Sequence, residues 1–250
     1  MRKRKRRSVY LLPNFLTSMS LFGGFYAMVA TLDQRFAHAS IAIFVSCILD
    51  SLDGRVARMT GSTSKFGVEY DSLADVIAFG VAPGLLAYMW ALKGYGRFGW
   101  LAAFLYVACG ALRLARFNVQ ADTVQKKQFL GLPIPAAAAV IAASLLFFEE
   151  LHLPVEVKKV FVPILMYALA FLMVSGVRYS SFKESSAFRS RHFEAVVVVV
   201  LLFVIVLIEP AIMLFVVTMA YMLSGPVAYL FKCIFKRNAA LEEVPHSRET

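Results

Sequence analysis

Apolar positions along this chain fall in eight runs, at 11–31, 38–52, 72–92, 98–117, 132–148, 160–177, 193–208 and 210–231. Most approach the roughly 20 residues that an α-helix needs to cross a hydrocarbon core of about 30 Å. The second run is short in purely apolar terms because it ends in carboxylates. The last two are divided only by Glu209-Pro210, a helix stop, because proline lacks an N–H and drives its predecessor out of the α region. One long tilted helix is the alternative there. The pattern predicts an all-α fold, a polytopic membrane helix bundle of about eight transmembrane helices. The longest polar stretches, 118–128, 178–192 and 236–250, are loop or tail sized, and no repeat of 20–50 residues is visible. The expected organisation is a basic amino-terminal segment at 1–10, one transmembrane domain over 11–235, and a tail at 236–250.

Composition agrees with the pattern. Of 250 residues, 60% are apolar and 17% charged, against about 45–50% and about 25% in soluble domains. Mean hydropathy is +0.69. Disorder, which needs low hydrophobicity and high charge, is excluded outside the ends. Cys47, Cys109 and Cys233 are too few and too scattered for a disulfide framework or a CxxC metal site.

The net charge of +10 would suggest a nucleic-acid partner in a soluble protein. Here it reads as loops that obey the positive-inside rule and touch anionic lipid, with no nucleic acid implied. Placing the amino terminus in the cytoplasm puts six basic residues at Arg2–Arg7 inside. Arg55, Arg58 and Lys65 follow, then Arg113, Arg116, Lys126 and Lys127. Four more lie at Arg178, Lys183, Arg189 and Arg191, and four at Lys232, Lys236, Arg237 and Arg248. Inner segments then hold 21 basic residues and outer loops five, Arg35, Lys93, Arg97, Lys158 and Lys159. That split favours an N-in, C-in integral protein of the cytoplasmic membrane. Ala37-His38-Ala39 fits a signal-peptidase pattern, but the preceding apolar run is about twice a normal h-region, so the first helix is expected to be retained.

Carboxylates at membrane depth cost several kcal/mol and mark function. Asp50 and Asp53 lie at i and i+3 near the end of the second run, and Asp71 and Asp75 at i and i+4 at the start of the third. Each spacing puts both carboxylates on one helix face. The short connection at 59–66 makes the two helices antiparallel neighbours, so the four acids can converge. Four ionised carboxylates in a low-dielectric pocket repel one another, so cations must fill the site or some acids must be protonated. Hard oxygen ligands without His or Cys favour Mg²⁺, Mn²⁺ or Ca²⁺, and two such ions would cancel four charges. A metal pair of this kind suits displacement at phosphorus. Ion pairing with Arg55, Arg58 and Lys65 is the plainer alternative. Gly54, Ala57 and Gly67 are small residues at helical spacing beside these acids, which lets a second backbone or a flat ligand approach.

Residues 50–75 read DSLDGRVARMTGSTSKFGVEYDSLAD. This stretch resembles the signature of the CDP-alcohol phosphotransferases, D-x2-D-G-x2-A-R-x8-G-x3-D-x3-D. Asp50, Asp53, Gly54, Ala57, Arg58, Gly67, Asp71 and Asp75 match every fixed position. LPNFLT at 12–17, DSLAD at 71–75, FGVAP at 79–83, LRLARFN at 112–118 and GLPIPAAA at 131–138 are similar to the type II phosphatidylserine synthase branch of that family. The resemblance spans roughly residues 10–140, and the four carboxyl-proximal helices carry little that can be matched.

The resemblance implies a metal-dependent transfer from CDP-diacylglycerol to L-serine. The serine hydroxyl attacks the β-phosphorus of the CDP-linked lipid and CMP leaves. It implies that Asp50, Asp53, Asp71 and Asp75 bind two divalent cations, Mg²⁺ or Mn²⁺, and that Asp75 is also the base for the hydroxyl. Gly54 and Arg58 match donor-contacting positions, and Ser64 matches a hydroxyl near the nucleotide; Ala57 and Gly67 complete the expected donor site. It further implies a homodimer. The chemistry agrees, because a serine hydroxyl is a weak nucleophile and the donor diphosphate needs metals and Arg58 to screen its charge. The charge count independently puts positions 50–75 at the cytoplasmic face.

Arg113 and Arg116, i and i+3 at the end of the fourth run, with Asn118 beside them, are the expected readers of the serine carboxylate, since a guanidinium binds a carboxylate in bidentate fashion. Plain anchoring is their alternative role, and Lys126 and Lys127 read as anchors. His38, His152, His192 and His246 have no partner at ligand spacing and are expected to carry no chemistry. Two other functions stay open. One is the same chemistry with inositol phosphate, glycerol phosphate or choline as acceptor. The other is a cation transporter, against which the edge position of the acids and the lack of a repeat both count.

Overall fold

The structure is a computed structural model and describes residues 2–61, 64–121, 129–179 and 209–242. The seventh apolar run, Lys126, Lys127, His192 and His246 lie outside these. The other seven runs are helices. They are α1 (Arg2–Leu32), α2 (Phe36–Thr60), α3 (Lys65–Tyr95), α4 (Arg97–Ala121), α5 (Ile134–Glu150), α6 (Val155–Val174) and α7 (Pro210–Glu242). Among the described residues, six of them are long and apolar enough to cross a membrane. The exception, α5, has 17 residues and occupies the centre of the bundle, where Ala137, Ala138, Ala142 and Ala143 are buried. These alanines let α2 and α7 close in on it. Large apolar side chains such as Phe22, Phe104 and Phe171 point outward, as lipid-facing surface requires. The chain is an integral membrane helix bundle.

The basic segment is helical, because α1 starts at Arg2, and α7 runs to Glu242, into the expected tail. The α1–α2 pair is the most extensive contact in the bundle. Ser20 Oγ donates to Ser46 O at 3.1 Å and Ser46 Oγ donates back to Ser20 O at 3.0 Å. Gly23 and Gly24 make this approach possible, since a Cβ at either would strike Ser46 Oγ or the backbone of Ala78 on α3. Thus α1 is wedged against both α2 and α3.

Helix α3 is not uniformly α-helical. Two wider π-helical stretches, Val76–Val81 and Tyr88–Leu92, interrupt it. Pro83 has no N–H for the carbonyl of Phe79 four residues back, and Tyr106 Oη on α4 donates to that carbonyl at 2.9 Å. A helix that mixes turn widths has no single hydrophobic period, so these stretches left no mark in the apolar pattern.

At the end of the bundle that carries the acidic motif, two short segments lock together. Phe129–Leu130 (β1) pairs antiparallel with Arg178–Tyr179 (β2). Gly131 N donates to Val177 O at 2.8 Å and Leu132 N to Leu172 O at 3.0 Å. Gly131 has φ +78°, and any side chain there would strike the carbonyl of Met173. The opposite end is closed by aromatic contacts. Phe147 stacks on Phe215 with centroids 4.1 Å apart, and Lys158 Nζ lies 5.1 Å from the centre of the Trp90 ring.

Candidate active site

Local rules bring the motif together. Gly61 ends α2 in the left-handed conformation, φ 60°, and its N–H caps the carbonyls of Ala57 and Arg58. Ser64 then starts α3, its Oγ accepting from Gly67 N at 3.0 Å. Between these capped ends, Asp50 and Asp53 from α2 come together with Asp71 and Asp75 from α3. Backbone packing of α3 near the motif is mainly against α1, and α2 meets α3 chiefly beyond Asp75, at Val76–Ala87. The acidic side chains therefore reach across a gap rather than across a tight helix pair.

Carboxylate oxygens of Asp50, Asp53 and Asp71 lie within 4.8 Å of one another. Asp75 adjoins Asp50 within side-chain hydrogen-bonding reach. Asp53 is buried, and the other three are partly buried. Asp71 Oδ1 is shielded from solvent and has no hydrogen-bond partner among the described residues. Clustered oxygen donors, one of them orphaned, and no His or thiolate among them fit a hard divalent cation such as Mg²⁺ or Mn²⁺.

Beside the acids opens a cleft of about 160 Å³. Its walls include Asp53, Gly54, Ala57, Arg58, Ser64, Gly67 and Asp71, so every expected donor residue faces one space. A Cβ on Gly54 would meet only the Arg58 guanidinium, at 3.4 Å, and no second helix. Gly54 thus serves the cleft and the folding-back of Arg58, not helix packing. Gly67 is tighter, 3.1 Å from Ser64 Oγ and 3.4 Å from Asn14 Oδ1 on the same construction.

The third wall is α1, whose Pro13, Asn14 and Thr17 line the cleft. Thr17 is buried and its Oγ1 donates to Asp53 Oδ2 at 2.7 Å, with Pro13 O at 3.1 Å as a second acceptor for the same proton. Ser18 Oγ meets Tyr70 Oη at 2.8 Å and ties α1 to α3. Sequence reasoning assigned these residues no role. Their i, i+1, i+4 spacing in LPNFLT was the available signal. A hydrogen bond to a charged group is worth about 1.5–3 kcal/mol, so Thr17→Val is expected to raise the metal concentration for half-maximal turnover about tenfold or more. Thr17→Ser should restore it. A metal titration of turnover that is unchanged in Thr17→Val would deny Thr17 this role.

The expected acceptor residues separate. Arg113 is 7% exposed, its Nε has no hydrogen-bond partner among the described residues, and it lies within electrostatic reach of Asp75 and of Tyr221 on α7. Arg116 is exposed. Asn118 Nδ2 donates to Ser72 Oγ at 2.9 Å, a brace between α4 and α3. Of the three, only Arg113 is buried.

Known proteins resemble this chain over most of its length. Residues 10–175 match the family model described as CDP-alcohol phosphatidyltransferase. A CDP-diacylglycerol–serine O-phosphatidyltransferase of Helicobacter pylori is 40% identical over 234 residues, 92% of this chain and 97% of that protein. The Mycobacterium leprae protein of the same name is 33% identical over 236 residues, 91% of this chain and 78% of its own. The archaetidylserine synthase of Methanothermobacter thermautotrophicus is 38% identical over 183 residues, 72% of this chain and 73% of its own.

Proposed function

Since the chain belongs to the CDP-alcohol phosphatidyltransferase family, we propose that it transfers the phosphatidyl group of CDP-diacylglycerol to the hydroxyl of L-serine, giving phosphatidylserine and CMP in phospholipid synthesis. The observation that carries the reading is the convergence of Asp50, Asp53 and Asp71 within 4.8 Å beside the cleft built from the motif. The names of the relatives support serine as the acceptor. The reading places the site at the cytoplasmic face, on the strength of the basic-residue split, and keeps the homodimer that the resemblance implies.

Asp50, Asp53, Asp71 and Asp75 would hold two divalent cations, Mg²⁺ or Mn²⁺. When bound, these would neutralise the donor diphosphate and the departing CMP. Asp75 takes the proton of the serine hydroxyl as its oxygen bonds to the β-phosphorus and the phosphoanhydride bond breaks toward CMP. Arg58, folded over Gly54, offers a fixed positive charge to the diphosphate. Gly54, Ala57 and Gly67 leave the donor room against α2 and α3, and Asn14 and Thr17 close it in from α1. Arg113 reads the serine carboxylate. A buried guanidinium with an unpartnered Nε beside Asp75 is built to accept an anionic group, and serine brings one.

The test is CMP release from CDP-diacylglycerol offered serine, glycerol phosphate, inositol phosphate and choline in parallel. Serine should be the productive acceptor, and equal or better turnover with another would replace it. Arg113→Lys keeps the charge but loses the planar fork, so it should raise the KM for serine about tenfold or more before it affects the KM for the CDP-lipid. An unchanged serine KM in Arg113→Lys and Arg113→Ala would return Arg113 to an anchoring role.

A further inference from the structure

Three helices that carry candidate site residues converge on the start of α5. On α2, Cys47 lies about one turn from Asp50, and its Sγ donates to Pro135 O at 3.6 Å. On α3, a Cβ at Gly80, a little over one turn past Asp75, would lie 3.7 Å from Ile134 Cδ1. On α4, a Cβ at Gly110, about one turn before Arg113, would lie 2.6 Å from that same atom. The chain runs toward the motif end in α2 and α4 and away from it in α3. All three contacts therefore lie about one turn deeper in the bundle than Asp50, Asp75 and Arg113. We propose that this first turn of α5, Ile134–Pro135–Ala136, is the floor of the acceptor site, and that its backbone N–H groups hold the acceptor carboxylate together with Arg113. This rests on the reading of Arg113 given above.

Two separate observations point to an anion at this level. The first is Arg113, which is 7% exposed and whose Nε has no hydrogen-bond partner among the described residues. A helical side chain leans back over the turn that precedes its own Cα. Arg113 therefore covers the turn of Gly110, where α4 comes closest to Ile134. A guanidinium taken out of water calls for an anionic partner.

The second is the helix start itself. Ala137 N donates to Pro133 O at 3.0 Å, and the N–H groups before it have no partner within the helix. Pro135 has no N–H, which leaves those of Ile134 and Ala136. Helix α5 has 17 residues, and the aligned peptide dipoles place about half a positive charge at this end. Ile134 is buried, yet Pro133, Pro135 and Ala136 keep partial exposure, as the wall of an opening does. Pro133 and Pro135 fix φ on either side of Ile134, and the bonds of Gly131 and Leu132 tie the entry to the end of α6. The floor is thus rigid. In the proposed reaction the carboxylates of Asp50 and Asp75 belong to the cations, so the acceptor supplies the anion for α5.

The test is steady-state kinetics of the full-length protein in detergent–lipid micelles with Ala136→Asp. An acid in the first turn favours the helix, so folding is not set against the experiment. Its charge competes for the place of the acceptor carboxylate. The KM for serine is expected to rise about tenfold or more, with the KM for CDP-diacylglycerol and the metal concentration for half-maximal turnover within about twofold. Ala136→Asn, of the same size without the charge, should raise the serine KM by less. Ethanolamine, which is serine without its carboxylate, should gain as an acceptor relative to serine in Ala136→Asp. Pro135→Asp, in the same turn, serves if Ala136→Asp does not accumulate. A serine KM unmoved in the Asp variants while Arg113→Lys raises it would overturn this proposal and leave the reading of Arg113 standing. A serine KM unmoved in Arg113→Lys would overturn both. Equal rises in Ala136→Asn and Ala136→Asp would reduce the floor to a matter of volume, and a shifted metal requirement with an unmoved serine KM would assign the helix end to the acids. Either result would also overturn the proposal.

Discussion

Asp75→Asn is expected to lower serine-dependent CMP release by about 10³-fold or more while the protein still inserts and melts normally. Asn fills the same space but cannot take the hydroxyl proton, and general-base catalysis supplies about 10²–10⁴-fold; loss of a cation ligand adds to this. Asp50→Asn, Asp53→Asn and Asp71→Asn should also abolish turnover, through the cation site. Removing one of several mutually repelling carboxylates should leave thermal stability in chelator unchanged or higher, because the native cluster holds like charges within 4.8 Å. Chelation should erase turnover in the unaltered protein, and Mg²⁺ or Mn²⁺ should restore it. Near-normal turnover in any one variant would remove that residue from the centre of the site. A melting temperature that falls in all four would recast the acids as a stabilising network.

Gly54→Leu and Ala57→Leu are expected to weaken CDP-lipid binding about 100-fold or more, which is about 2.8 kcal/mol, with little change in melting temperature. The cleft is only about 160 Å³ and both residues line it. The Cβ of a leucine at Gly54 would meet only the Arg58 guanidinium, and the rest of the side chain would fill the cleft, so it would displace ligand rather than backbone. Gly24→Leu is the contrasting case. Its side chain would be driven into the backbone of Ala78, so insertion and stability should fail first. Donor binding can be followed by displacement of a fluorescent CDP-lipid. Intact binding in Gly54→Leu together with a lowered melting temperature would return Gly54 to a packing role.

Much of this site was legible because its chemistry is local in sequence. Acids spaced i, i+3 and i, i+4 must share a helix face, and a short capped turn must fold one pair toward the other. The expected donor residues all proved to line one cleft for the same reason. The rest depends on contacts between distant segments, which hydrophobic period does not encode. Thr17 and Asp53 are 36 residues apart and meet only because Gly23 and Gly24 let α1 lie against α2 and α3. Arg113 and Arg116 look equivalent on a helical projection, yet one is buried and the other exposed. Asn118, grouped with them by proximity, braces α4 against Ser72. The carboxyl-proximal helices offered no motif to match. The central burial of α5 was likewise hidden, since an apolar run reads the same whether it faces lipid or other helices.

The wide turn at Val76–Val81 begins at the residue after Asp75. A π turn carries about one residue more than an α turn, and each residue is about 100° of rotation. Such a turn works like a gear between the two parts of α3. On one side Asp71 lines the cleft and Asp75 adjoins Asp50; on the other Ala78, Phe79 and Ala82 point into the core. In an uninterrupted α-helix the two faces would be locked to a common period, and any gain in core packing would rotate the acids. With the gear in place, the lower part of α3 can change its packing partners while the carboxylates keep their aim. A one-residue deletion in this stretch would leave every side chain chemically intact and still turn the acids away from their partners.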